Sequence, residues 1–152
     1  MNGRIGFVSI SHPDYLNDIV LQQTNIAMGN MMATGFDHIS PGYQVVDYKT
    51  ALDAGRFLAS QDLDGVVIFL ASWIECPSLM GVLREIEHLP FCLQAFKMVR
   101  FNNKYESTGS YVSYAMIKGS LDRIGYSYSS ILAETDSTET KIEINFNDED
   151  EV

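Results

Sequence analysis

The sequence predicts an α/β domain of three layers, and three observations carry that prediction. Short apolar runs alternate with longer segments of helical periodicity through residues 1–133. The run GVVIFL at 65–70 contains no polar position, which suits a central strand covered on both faces. Capping residues, glycines and prolines fall between the two kinds of segment, where starts and stops are needed.

RIGFVSI at 4–10 reads as the first buried strand, and Ser11, Pro13 and Asp14 offer capping and first-turn chemistry for a helix beginning near Asp14. Leu16, Ile19, Val20, Ile26, Ala27 and Met31 recur at helical spacing on its inner side, and Gly35 stops it. GYQVVDY at 42–48 reads as the second strand. Thr50 caps a second helix, with Leu52, Phe57 and Leu58 inward, and GVVIFL follows as the third strand. Pro77 suits the first turn of a third helix because its missing N–H costs nothing there, and Leu79, Met80, Leu83 and Ile86 give its inner stripe. PFCLQAF at 90–96 is the fourth strand, followed by a polar and aromatic connection through NNKYESTG. Ser107 or Thr108 caps a fourth helix that contains Val112, Met116, Ile117, Leu121 and Ile124 and ends at Gly125, and YSYSSILA is the fifth strand.

Five strands and four helices in alternation predict a parallel sheet with right-handed crossovers. The expected fold is flavodoxin-like, with strand order 2-1-3-4-5 and helices on both faces. In that order the first and third strands are neighbours whose crossovers leave on opposite faces, so the loops at 10–14 and 71–76 part and open a crevice. Trp73, the one tryptophan, then stands at the lip of that crevice opposite His12.

At 152 residues and 46% hydrophobic content the chain is one domain long, with 1–133 as the α/β body. No window of about 18 apolar residues occurs, and the N-terminus lacks the features of a signal peptide, so a cytoplasmic location is expected. Cys76 and Cys92 are read as reduced, structural thiols. The net charge of −10 is uneven: residues 134–152 hold eight acids against Lys141 alone and form an acidic tail, with a possible short strand at 140–146. The remaining body carries about −3, which argues against nucleic acid and anionic membranes as partners.

Several chemistries lack their parts. SISHPDY has no glycine, and neither GxGxxG nor GxxxxGK[ST] occurs, which disfavours a flavin or nucleotide site. A phospho-acceptor site needs acids at the ends of the first and third strands, but the third ends in Leu70, Ala71 and Ser72. His12, His38 and His88 are scattered, and of the acids outside the tail only Asp14, Glu75 and Glu106 fall in loops facing the crevice, so no metal ligands and no catalytic residues are assigned. What remains suits a sugar, whose C–H face lies against an indole while its hydroxyls find donors and acceptors. The competing reading packs Trp73 beneath its own helix or in a subunit interface.

RIGFVSISHPDY, DGVVIFLASWIECPSLMGVLREIEHLPF and STGSYVSYAMIKGSLDRIGYSY together make the chain resemble, in order and spacing over nearly all of 1–132, the N-terminal domain of the L-fucose isomerase and L-arabinose isomerase family. The resemblance implies aldose–ketose isomerisation by complete members, which use a manganese-type divalent ion held by carboxylates and a histidine of later domains. This domain is then expected to border the active site of an adjacent subunit. Residue by residue, it places Trp73 and Ser72 in the strand 3 loop, Ser11, His12 and Tyr15 in the strand 1 loop, and Gln94 and Lys97 after strand 4 as substrate-binding positions. The basic side chain that fucose isomerases carry in the first loop has no match in SISHPDY.

Two expectations follow. One is an N-terminal domain or fragment of such an isomerase, covering a small sugar substrate and making contacts with the remaining isomerase domains or in a homo-oligomer, with no metal ligands and no turnover alone. The other is a free-standing module on the same scaffold that binds a small metabolite or a partner. A lobe of a two-lobed sugar receptor shares the sheet type but needs a second lobe. Tyr105 and Tyr111 join Trp73 as interface aromatics, Tyr111 also suiting a helix face.

Overall fold

In the computed structural model, residues 3–133 are described, so the acidic tail and the expected strand at 140–146 lie outside them. Seven strands and four helices follow in order: β1 (Arg4–Ile10), α1 (Asp18–Met32), β2 (Asp37–Ile39), α2 (Tyr48–Ala59), β3 (Gly65–Leu70), α3 (Cys76–Glu85), β4 (Phe91–Phe96), β5 (Val99–Phe101), β6 (Lys104–Glu106), α4 (Ser110–Ile124) and β7 (Ser129–Ala133). The main sheet is all parallel in the order β2-β1-β3-β4-β7. This is the expected flavodoxin-like arrangement once the separate β5–β6 hairpin is set aside. Its strands β3 and β4 are buried at every position, as suits the unbroken apolar run of β3, while β4 buries one polar residue, Gln94, among its apolar ones.

Alternation along the strands divides the core in two. Val8, Ile10, Val66, Ile68, Leu70, Leu93 and Ala95 face α2, α3 and α4. Ile5, Phe7, Val67, Phe69 and Phe96 face α1 through Val20, Ala27 and Met31. Helices α2 and α3 approach almost backbone to backbone: a Cβ on Gly81 would lie 2.7 Å from that of Ala51, and one on Gly55 would lie 2.8 Å from that of Glu85. Among the described residues no helix is long and apolar enough to cross a membrane.

Several boundaries differ from the sequence reading, each for a local reason. Pro13–Tyr15 forms a 3-10 turn, and α1 starts later, at Asp18, because the Asn17 side chain accepts the Val20 N–H at 3.0 Å. Leu16 lies ahead of the helix and is 44% exposed, and Ile26, also expected inward, is 44% exposed on the outer side of α1. The second strand is Asp37–Ile39; within 42–48 only Val45 bridges to Ile10, and Tyr48 already begins α2. Asp47 caps α2, and Thr50 closes a capping box from the third helical position. Gly109, in the left-handed region at φ 84°, precedes α4, because the Thr108 hydroxyl is bonded to Ala71 O instead. Tyr126 and Tyr128 pack on Phe91 before β7 starts.

Candidate functional site

The order β1-β3 brings the loops after these strands side by side, and the N-terminus of α4 fixes the second of them from below. Trp73 N donates to Thr108 O at 2.8 Å, the Thr108 hydroxyl to Ala71 O at 2.8 Å, and Ile74 N to the Ser113 hydroxyl at 2.8 Å. The Ser110 hydroxyl donates to Leu70 O and accepts from Phe96 N, joining the ends of β3 and β4. Ser110 and Ser113 are fully buried, and Thr108 is nearly so, so these bonds form away from competing water. Gly109 completes the support, since a Cβ there would lie 2.7 Å from the Trp73 Cβ.

Held in this way, Trp73 is half-buried at the C-terminal ends of β1 and β3. Its ring lies 5.3 Å from that of His12 and 6.4 Å, edge-on, from that of Tyr15, while His12 and Tyr15 are 5.4 Å apart. The three rings form one cluster, with Tyr15 47% exposed. The backbone also ties the two loops: His12 N donates to the Ser72 hydroxyl at 3.0 Å, which itself donates to Trp73 O at 2.8 Å. The loops therefore do not stand apart around an open cleft at this point; they are bridged, and the aromatic cluster forms the surface.

His12 Nδ1 accepts the Asp14 N–H at 3.1 Å, so the neutral imidazole carries its proton on Nε2. That nitrogen is 3.8 Å from Glu75 Oε1. The arrangement supplies an aromatic face, an imidazole N–H, a phenol and a carboxylate within one small area. Such a surface can hold a hydroxylated ring by stacking and hydrogen bonds.

The other expected positions are placed differently. Ser11 is fully buried, and among the described residues its hydroxyl has no hydrogen-bond partner. Gln94 is 3% exposed within β4, with its Oε1 unpartnered among the described residues. It pairs in register with Phe69 and Ile131, inside the sheet. Lys97 follows β4, its Nζ 5.7 Å from the centre of the Tyr111 ring. Trp73, Ser72, His12 and Tyr15 are thus brought together; Ser11 lies beneath them, and Gln94 and Lys97 belong to the β4 side. Sequence reasoning missed the support from Thr108, Gly109, Ser110 and Ser113. The signal was available in STGSYVS, which holds more hydroxyls than one helix cap uses.

Among the described residues no three His, Cys, Asp or Glu side chains converge as metal ligands would. The donor set among the described residues does not fit a manganese-type ion. No protein-family model matches the chain, and no curated protein matches it.

Proposed function

We propose that this chain is the N-terminal, substrate-covering domain or a fragment of an L-fucose/L-arabinose-type aldose–ketose isomerase, acting on a sugar held by other domains or an adjacent subunit. The observation that supports this reading is the Trp73–His12–Tyr15 cluster at the ends of two neighbouring parallel strands. In this role the indole lies against the C–H face of the sugar while His12 Nε2 and the Tyr15 hydroxyl reach its oxygens. The aromatic cluster on which this reading rests does not include Gln94, which lies in β4, or Lys97, which follows it.

A second reading, a free-standing metabolite-binding module, draws on the bridge from His12 N through the Ser72 hydroxyl to Trp73 O, which organises both loops without help from another chain. One titration separates the two. Trp73 is the sole tryptophan, so its emission and the amide signals of its neighbours report directly on the cluster. L-fucose and L-arabinose are expected to perturb His12, Tyr15 and Trp73 with a Kd of about 1 mM or weaker, as suits half of a site. Tyr15→Ala is expected to reduce that response at least tenfold while leaving the urea midpoint unchanged. A micromolar Kd for either sugar with the chain alone favours the second reading. A lack of perturbation at these residues by either sugar removes the covering role, and so does isomerase turnover by this chain with added manganese.

A further inference from the structure

The outer face of α4 lacks what a solvated helix face usually carries. Such faces hold charges, as α2 does with Lys49, Asp53 and Arg56. From Ser110 to Leu121, roughly three turns, α4 has one charged residue, Lys118, and its Nζ lies 6.0 Å from the Tyr114 ring and 5.9 Å from the Tyr128 ring. Facing water are Val112 at 55% exposure, Met116 at 43% and Ile124 at 61%. Ser120 adds little polarity, because its hydroxyl donates to Met116 O at 3.1 Å within the helix.

The face has a relief as well as a composition. Val112, Met116, Ser120 and Ile124 follow one another at every fourth position and form a ridge, beside which Ala115 and Gly119 form a low row. A Cβ on Gly119 would meet nothing within 4 Å among the described residues, so no contact there requires a glycine, which costs stability relative to alanine in mid-helix. A ridge beside a groove is self-complementary: after a two-fold rotation, the ridge of each copy enters the groove of the other. Helix α1 is also uncharged from Ile19 to Met32 and exposes Leu21 and Ile26, but its outer side carries Gln22 and Asn25, whose amides water satisfies.

Charge sets the sense of the pairing. Glu106 precedes α4, and Arg123 lies in its last turn. Antiparallel helices bring Arg123 of each copy to the same end of the pair as Glu106 of the other, whereas parallel helices set like charges together. We infer that two copies of this chain associate through α4, antiparallel about a two-fold axis. Val112 of each copy then sits against Gly119 of the other, and Met116 against Ala115. One helix pair buries less than a standard interface, so a Kd on the order of 10–100 μM is expected. The inference uses none of the residues of the aromatic cluster and does not depend on the sugar reading.

The test is sedimentation velocity on the full chain at concentrations from about 5 to 500 μM, where a reversible monomer–dimer equilibrium is expected. Gly119→Leu fills the groove at a position with room for the side chain, and leucine favours the helix, so it should weaken association at least tenfold with no fall in the urea midpoint. Arg123→Glu should weaken association about threefold, and adding Glu106→Arg to it should restore the loss. Ile26→Asp, on the outer side of α1, should change nothing. The inference is overturned if the chain stays monomeric at the highest concentration or if Gly119→Leu associates as the wild type does. It is equally overturned if the double charge variant associates no better than Arg123→Glu alone, or if Ile26→Asp dissociates the dimer.

Discussion

Gly109 and Gly125 share nearly the same backbone, at φ 84° and φ 87°, but not the same surroundings. Beside Gly109 a Cβ would meet Trp73 at 2.7 Å from its Cβ and 3.0 Å from its backbone nitrogen; beside Gly125 nothing lies within 4 Å. Gly125→Ala therefore meets only the left-handed strain, about 1 kcal/mol. Gly109→Ala adds displacement of a backbone that cannot rotate away, for a total of roughly 3 kcal/mol. Urea denaturation of both variants checks the ranking, and only Gly109→Ala should alter the Trp73 emission of the folded state. The location of Trp73 was legible in the sequence, because an apolar run ends at Leu70 and Pro77 opens a helix, leaving the indole in a short connection. What holds it was not legible. Ser110 and Ser113 bond to Leu70, Phe96 and Ile74, partners some 14 to 40 residues away, and local pattern carries no trace of such pairings.

At the scale of elements, the start of α2 gives a prediction with a definite sign. The Asp47 carboxylate accepts the Thr50 backbone N–H and then the Thr50 hydroxyl, and these two bonds, the backbone one foremost, hold its pKa below the usual 3.8. A carboxylate depressed on folding stabilises the fold fully above its unfolded value, and that contribution disappears as pH falls through the lower folded value. Asp47→Ala should thus lower the urea midpoint by roughly half a molar near neutrality. The gap between wild type and variant should shrink as pH drops below 3.8. A gap independent of pH would mean that the charge of the cap is irrelevant. The helix stops near Gly35 and at Gly125, the start of α3 at Pro77 and the fully buried strands were readable from the sequence because each has a local chemical cause, whereas the starts of α1, α2 and α4 fell on residues other than the expected caps. Edge elements were less so: GYQVVDY carries β-branched and aromatic residues as a strand does, yet Asp47 commits its end to a helix, and the short β2 pairs through DHI instead. The β5–β6 hairpin carried a signal that was passed over. Asn102 and Asn103 both adopt positive φ, 51° and 62°, the requirement of a two-residue type I′ turn, and asparagine is among the residues that meet it.

For the molecule as a whole, the strand order was legible because alternating βα units leave few ways to arrange a parallel sheet, and the question becomes whether that sheet opens as one unit. The two thiols answer it. Cys76 is exposed at the start of α3, while Cys92 is fully buried in β4, paired in register with Val67 of β3 and Ser129 of β7. Burial also pushes the Cys92 thiol above its ordinary pKa, so it is poor in the reactive thiolate as well as inaccessible. With excess aromatic disulfide reagent, one thiol per chain should react promptly. The second should react only through opening of the sheet. If β1, β3, β4 and β7 separate together, the urea dependence of that slow phase matches the equilibrium m-value, on the order of 1–3 kcal/mol/M. The outer strand β7 is half-buried at all five positions, which makes it the place where a smaller opening would begin. A slow phase with a much shallower urea dependence would locate that opening at the β4–β7 edge, and the sheet would then consist of a rigid β1–β3 centre, carrying the aromatic cluster, beside a separately mobile edge.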